Sequence, residues 1–200
     1  MNKRQIAAQN TKRKLISTAL ELIKIKGFNA INVEDITQAA AVAKGTFYTY
    51  FKRKEDIVLE ISRMPFSEIK DELEKRKDLD LLQKLTYYFH CFMECVEACG
   101  INVCRQWIKN VLDPNNVPEN FDGQKWVYDF EMLKSILATA VKDGELRIDT
   151  PVDILAHMII SQLYGMMTCW CMSDGKFEPL AWTDEFCEIQ LKKIFRAYLI

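Results

Sequence analysis

The stretch VEDITQAAAVAKGTFYTYF, Val33 to Phe51, carries two short helical patterns separated by a break. Asn32, just before it, is a side-chain acceptor suited to cap a helix from Val33 to Ala40, and Asp35 sits at the third helical position, where it can answer the cap. Ile36, Ala39 and Ala40 give that helix an apolar face. After the break at Ala41 to Ala43, the segment Lys44 to Phe51 places Phe47 and Phe51 at i, i+4, pointing inward against the first helix. Lys44, Thr46, Tyr48 and Thr49 are left on its other sides, with Gly45 in its first turn. Two short helices joined by about three residues form a helix-turn-helix. A second helix that opens with small and polar residues can bring its N-terminal end to base edges in a groove about 12 Å wide. Tyr48, Tyr50 and Lys54 stand beside it as phosphate donors.

Charge around this stretch is uneven. Residues 1–54 hold 11 Lys and Arg against 3 Asp and Glu, and residues 55–200 hold 16 against 25, so a net charge of −1 conceals a head of +8 and a body of −9. A basic head on an acidic remainder is the pattern of a polyanion-binding unit joined to a body with a separate task. The expected domains are therefore residues 1–54 and residues 55–200.

The rest of the chain reads as helix, giving an all-α fold. Ile16, Ala19, Leu20, Leu22 and Ile23 mark an amphipathic helix that Gly27 stops. A longer helix begins after the basic run at Lys52 to Lys54, with Glu55 and Asp56 where the macrodipole favours acids. Further patterns run from Leu79 to Cys99, Asn102 to Leu112, Phe121 to Lys142, Val152 to Met172 and Thr183 to Leu199, with a loop at Pro114 to Pro118. Seven Gly and five Pro in 200 residues are too few for the turns of an all-β fold. Seven Cys with no CxxC pair fit a reducing, cytoplasmic compartment rather than a disulfide scaffold. The basic N-terminal residues lead into no signal-like apolar segment, and no run of about 18 apolar residues occurs, so secretion and membrane spanning are not expected.

The helix from Val152 to Met172 is apolar almost all the way round and needs cover on two sides. One side is assigned to the body itself. The other is assigned to a second copy, through Ile159, Leu163 and Met167 together with Leu191, Ile194 and Tyr198 of the last helix, in a four-helix interface around a two-fold axis. A monomer with a fully buried central helix is the alternative. The body also holds Tyr88, Phe92, Trp107, Trp126, Phe130, Met166 and Trp170, which are candidates to line an apolar pocket between helices.

Cys91, Cys95 and Cys99 repeat at i, i+4, i+8 beside His90. Cys95 and Cys99 fall on the apolar stripe of Leu81, Leu85, Phe92 and Val96, with His90 opposite, so these thiols read as small core side chains rather than as a metal site. Cys169 and Cys171 diverge on their helix, and His157 sits in an apolar helix as a core or interface residue. No catalytic triad, P-loop or GxGxxG spacing is present.

The run Ile36 to Asp56, ITQAAAVAKGTFYTYFKRKED, resembles the DNA-binding signature of the tetracycline repressor (TetR) family, above all in Gly45-Thr46-Phe47-Tyr48, then Tyr50-Phe51 and Lys54. The resemblance covers about residues 10–60 by motif and the remainder by length and helix pattern. It implies an all-helical homodimer with a three-helix head and a ligand-sensing body. Lys44, Gly45 and Thr46 would face the groove, with Tyr48, Thr49, Tyr50 and Lys54 as the remaining DNA contacts. The chain departs from the family at Ala41, usually Gly, and at Ala43, often Ser or Thr; a left-handed Ala41 costs about 1 kcal/mol. The function implied is a repressor that binds a palindromic operator on double-stranded DNA as a homodimer and is released by a small-molecule effector, without enzymatic activity, cofactor, metal or membrane. The alternative is a thiol-based redox sensor or enzyme using Cys91, Cys95 or Cys104.

Overall fold

The computed structural model describes residues 2–113 and 125–200, without the side chains of residues 63–68, 70, 71 and 74. Its regular elements are helices: α1 (Lys3–Lys26), α2 (Val33–Ala39), α3 (Lys44–Tyr50), α4 (Lys54–Lys75), α5 (Leu81–Cys99), α6 (Ile101–Leu112), α7 (Lys125–Lys142), α8 (Val152–Met172), α9 (Pro179–Phe186) and α10 (Lys192–Phe195). The loop expected at Pro114 to Pro118 and the residues Phe121 to Gln124 of the expected seventh helix lie outside the described residues. Contacts divide the chain into two compact units, Met1–Met64 with Cys99–Val117, and Pro65–Ala98 with Pro118–Ile200. The boundary expected at 54/55 thus falls inside the first unit. Charge marks where the basic residues end; it does not register that α6 returns to pack on α1 and on the turn at Phe28–Ala30.

In the first unit, α1 buries Leu15, Ile16, Ala19 and Ile23 and stops at Gly27, whose φ of 81° is left-handed and whose N–H donates to the Ile23 carbonyl at 2.8 Å. The helix begins earlier than its apolar pattern, at Lys3, because Asn2 and Gln5 form a reciprocal cap. The second such box closes α2: the Asp35 N–H donates to Asn32 and the Asn32 N–H to Asp35, both at 2.8 Å. Ile36 and Phe47 are fully buried, and the Phe47 and Phe51 ring centroids lie 5.0 Å apart. The turn between α2 and α3 is held by N–H donation from Val42 to the Thr37 carbonyl at 2.9 Å and from Ala41 to the Gln38 carbonyl at 3.0 Å. Ala41 takes a φ of 52° there, the left-handed conformation anticipated from sequence. Replacing it by Gly is expected to stabilise the chain by about 0.5–1 kcal/mol, the relief of Cβ strain less the added entropy of the unfolded chain. A urea titration with an unchanged or earlier midpoint would contradict this.

In the second unit, α5 buries Leu81, Leu85, Tyr88, Phe89, Phe92, Met93 and Val96, and α7 packs along α8. By length and composition α8 is as apolar as a membrane span, as core helices can be, and half of its apolar window is buried inside the chain. Its apolar residues divide between two faces. Leu155, Ala156, Ile159, Ile160, Leu163, Met166, Met167, Trp170 and Cys171 are buried, whereas Ile154, Met158 and Met172 are exposed. Ile159, Leu163, Met167 and Leu191, assigned above to a dimer contact, therefore belong to the chain's own core, and Ile194 and Tyr198 are half-buried. The more apolar stripe goes inward, because burying it removes the larger apolar area from water. The expected unbroken last helix is also revised. Pro179 starts α9 four residues early, a π-helical turn spans Cys187–Leu191, and the chain leaves α10 to pair with residues 145–147, Arg147 donating to the Tyr198 carbonyl at 2.9 Å.

Candidate nucleic-acid interface and effector pocket

The α3 helix presents its polar residues as its sequence suggests. Phe47 is its buried anchor, while Lys44, Gly45, Tyr48 and Thr49 are exposed and Thr46 and Tyr50 are half-buried. A Cβ added at Gly45 would meet nothing within 4 Å, and the backbone there is helical. Nothing inside the protein requires glycine at this position, although it costs about 1 kcal/mol against Ala in a helix. The open space faces outward, where another molecule's surface can come close to the helix. Lys44 Nζ pairs with Glu34 of α2, which raises the Lys44 pKa and lowers that of Glu34, first through the hydrogen bond between them. Thr49 Oγ1 donates back to the Gly45 carbonyl at 3.1 Å and keeps lone pairs free to accept.

Lys54 is placed otherwise than expected. Its Nζ donates to the carbonyls of Phe28 at 2.8 Å and Ile31 at 2.7 Å, and lies 4.1 Å from the Phe28 ring centroid. The ammonium holds the end of the Phe28–Ala30 turn against the start of α4, so Lys54 positions the head with two of its three N–H donors. Sequence spacing could not show this, since both carbonyls come from a different element.

The seven residues proposed from sequence for an effector pocket fall in several settings. Trp107 lies in the first unit. Tyr88, Phe92, Met166 and Trp170 are buried in the second, and Trp126 stacks on Phe130, which in turn stacks on His157 at 4.3 Å, along the outside of α7 and α8. A groove of about 530 Å³ opens instead between the end of α4, the start of α5 and α7. Leu73, Met132 and Ile136 supply apolar lining, and Arg76, Lys77, Lys84, Glu131 and Asp143 supply charged groups. That volume lies within the usual range for small-molecule sites.

Inside the same unit is a buried ion pair. Asp129 is fully buried and accepts from Lys125, whose side chain is 7% exposed, and from the Tyr164 hydroxyl at 2.6 Å. The Lys125 ammonium lies 4.8 Å from the Phe92 ring centroid and 5.6 Å from that of Tyr164. Burial, and then the Asp129 charge, push the phenols of Tyr88 and Tyr164 well above their ordinary 10.0. The folded chain keeps two protons that the unfolded chain releases near pH 10, so this contribution to stability is complete below that pH and is lost as pH rises beyond it. Ultraviolet titration is expected to show Tyr88 and Tyr164 ionising only when the fold opens. Loss of the raised transition in a Tyr88→Phe, Tyr164→Phe variant would identify them, and ordinary titration of both in the folded chain would contradict the placement.

The thiols of Cys91 and Cys187 are held in the unreactive form. Burial raises the Cys91 pKa, and raises that of Cys187 to about 11; both shifts favour the thiol over the reactive thiolate. Cys104 is buried, and His90 Nε2 lies 2.9 Å from Asp184 Oδ1 rather than against a cysteine.

A compact helix-turn-helix with a buried aromatic anchor and an exposed polar recognition face, followed by a separate helical unit, defines a DNA-binding regulator. A sequence profile of the bacterial regulatory proteins of the tetR family matches residues 15–61, and a profile of the C-terminal region of YsiA-like protein matches residues 126–192. The chain belongs to the TetR family and is a transcriptional regulator. It is 24% identical over 185 residues to the fatty acid metabolism regulator protein of Bacillus subtilis, covering 90% of this chain and 93% of that one. Among solved structures it is similar to FadR from Bacillus subtilis in complex with stearoyl-CoA, with a TM-score of 0.65 and 23% identity over 88% of this chain and 96% of that one. It is also similar to Thermus thermophilus FadR in complex with lauroyl-CoA, with a TM-score of 0.68 and 18% identity over 94% and 95% of the two chains. These structures share its fold.

Proposed function

We propose that the chain is a homodimeric repressor of a palindromic operator, released when an amphipathic acyl thioester of the fatty acyl-CoA class fills its body. The observation that carries this reading is the match to the Bacillus subtilis fatty acid metabolism regulator, which runs through the body as well as the head. The groove between α4, α5 and α7 supplies matching chemistry: an apolar lining for an acyl chain, and Arg76, Lys77 and Lys84 for phosphates. Lys44, Gly45 and Thr46 meet base edges, and Tyr48, Thr49 and Tyr50 lie against the backbone, with Lys54 holding the head in shape. The two-fold contact uses the outer stripe of α8, Ile154, Met158, Ser161, Gly165 and Met172, all of them exposed on the single chain.

Gel shifts on the DNA flanking the protein's own gene test this, with stearoyl-CoA, lauroyl-CoA and free CoA as competitors. Acyl-CoA is expected to release the DNA while CoA alone does not; retention of the complex at saturating acyl-CoA would exclude this effector class. Replacing Gly45 by Ala separates head from body. It is expected to stabilise the chain by about 0.5–1 kcal/mol, since Ala is the better helix former, and yet to weaken operator binding, because the methyl occupies the space left for the groove. Unchanged DNA affinity in that variant would remove Gly45 from the interface.

A further inference from the structure

The α1 helix is longer than the head's core requires. Leu15 is its first buried residue, every position from Asn2 to Asn10 is exposed, and the family match begins only at residue 15. The nine residues from Lys3 to Thr11 make about 13 Å of helix with no core to cover. This stretch is nevertheless fixed as helix from its first residue by the Asn2–Gln5 box, and Ala7 and Ala8 favour it.

Its charge is of one sign. Lys3, Arg4, Lys12, Arg13 and Lys14 occur before the first acid, Glu21. Lys12 is engaged by Glu60 of α4 at 2.7 Å and lies 5.9 Å from the ring of Phe51 at the end of α3. The other four form no ion pair among the described residues. Two contacts set the direction of the free turns. Near the far end of α1, the Lys24 carbonyl accepts from the Asn102 side chain of α6 at 3.5 Å, and at Lys12 the helix passes the junction of α3 and α4. Residues 3–11 therefore continue past the end of the recognition helix.

Building on the DNA-binding reading above, we propose that the free turns of α1 bind the phosphate backbone of duplex DNA beside the segment that α3 reads, through Lys3, Arg4 and Lys14, which share one side of the helix. From Lys3 to Lys14 the helix rises about 16 Å, close to five base-pair steps of 3.4 Å. The positive end of the helix dipole lies at the tip, next to Lys3 and Arg4, and adds to their attraction for phosphate. Such contacts add affinity without sequence preference and lengthen the bound stretch of DNA.

The test measures affinity for a mixed-sequence duplex several helical turns long as a function of salt. It compares the full chain with a Lys3→Ala, Arg4→Ala variant and with a Lys192→Ala, Lys193→Ala control that removes the same charge from exposed positions of the body. Alanine preserves helix, so the head stays folded. The tip variant is expected to lower the slope of log K against log salt by about 1.8 per bound chain, from two lost phosphate contacts at about 0.9 each, while the control leaves it unchanged. An unchanged slope in the tip variant, or an equal drop in the control, overturns the proposal and leaves the recognition helix as the DNA-binding element. Salt-independent behaviour of the unaltered chain on every duplex overturns the DNA-binding reading itself. If the tip variant instead loses binding to vesicles containing phosphatidylserine and keeps its DNA slope, the extension serves a lipid surface and the proposal fails.

Discussion

Replacing Lys125 by Met is expected to destabilise the chain by about 3–5 kcal/mol, read as a lower urea midpoint. The loss comes from what remains and not from what is removed. Asp129 is fully buried, and without the ammonium its carboxylate keeps the Tyr164 hydroxyl as a donor while its charge is uncompensated. A Lys125→Met, Asp129→Asn variant is expected to recover most of the loss, since the charge is gone and an amide oxygen still accepts from Tyr164. A single variant that loses under about 1 kcal/mol would mean that the carboxylate is protonated or reaches water, and the buried pair would not be a structural requirement.

Glutamates at Ile154 and Met158 are expected to give folded monomers whose operator affinity falls by about 100-fold or more. Both side chains are exposed on the single chain, at 61% and 49%, so the charges leave its core intact. Separate heads lose the effective concentration that joins them on one duplex, a factor of about 10²–10⁴. Leu163→Glu should behave differently: Leu163 is fully buried in its own chain, so that carboxylate unfolds the body before any question of pairing arises. Sedimentation and gel shifts on the two variants separate the cases. Dimers of undiminished operator affinity in the double-glutamate variant would move the two-fold contact to another face.

The contrast between Ile154 and Leu163 shows what the sequence could carry. Features decided within a few residues were legible: the Asn32–Asp35 box, the left-handed stop at Gly27, the strained turn at Ala41, and the division of α3 into buried Phe47 and exposed polar positions. Each depends on local geometry that the residue types themselves dictate. Features decided by what lies opposite were not. Periodicity identified α8 as apolar on two sides without indicating which side its own chain would claim. The aromatic residues of the body were listable as candidates, but their grouping depends on three-dimensional packing, which left Trp107 in one unit and Trp126 on the surface of the other. The structural role of Lys54 was not legible, because its charge was visible and the carbonyls of Phe28 and Ile31 that engage it were not. The early start of α1 had a legible signal in Asn2 and Gln5, obscured by the absence of an apolar stripe behind them.

The first unit is assembled from two separated stretches of chain, with α6 returning to α1 after the whole of α5. During synthesis, at about 5–20 residues per second, the recognition motif emerges roughly 2–10 s before α6 is available to cover α1. A nascent chain arrested before residue 101 would thus display the entire DNA-reading sequence on an incomplete support, and a chimeric regulator made by grafting only the N-terminal segment would inherit the same defect. Transplanting this head requires carrying α6 with it.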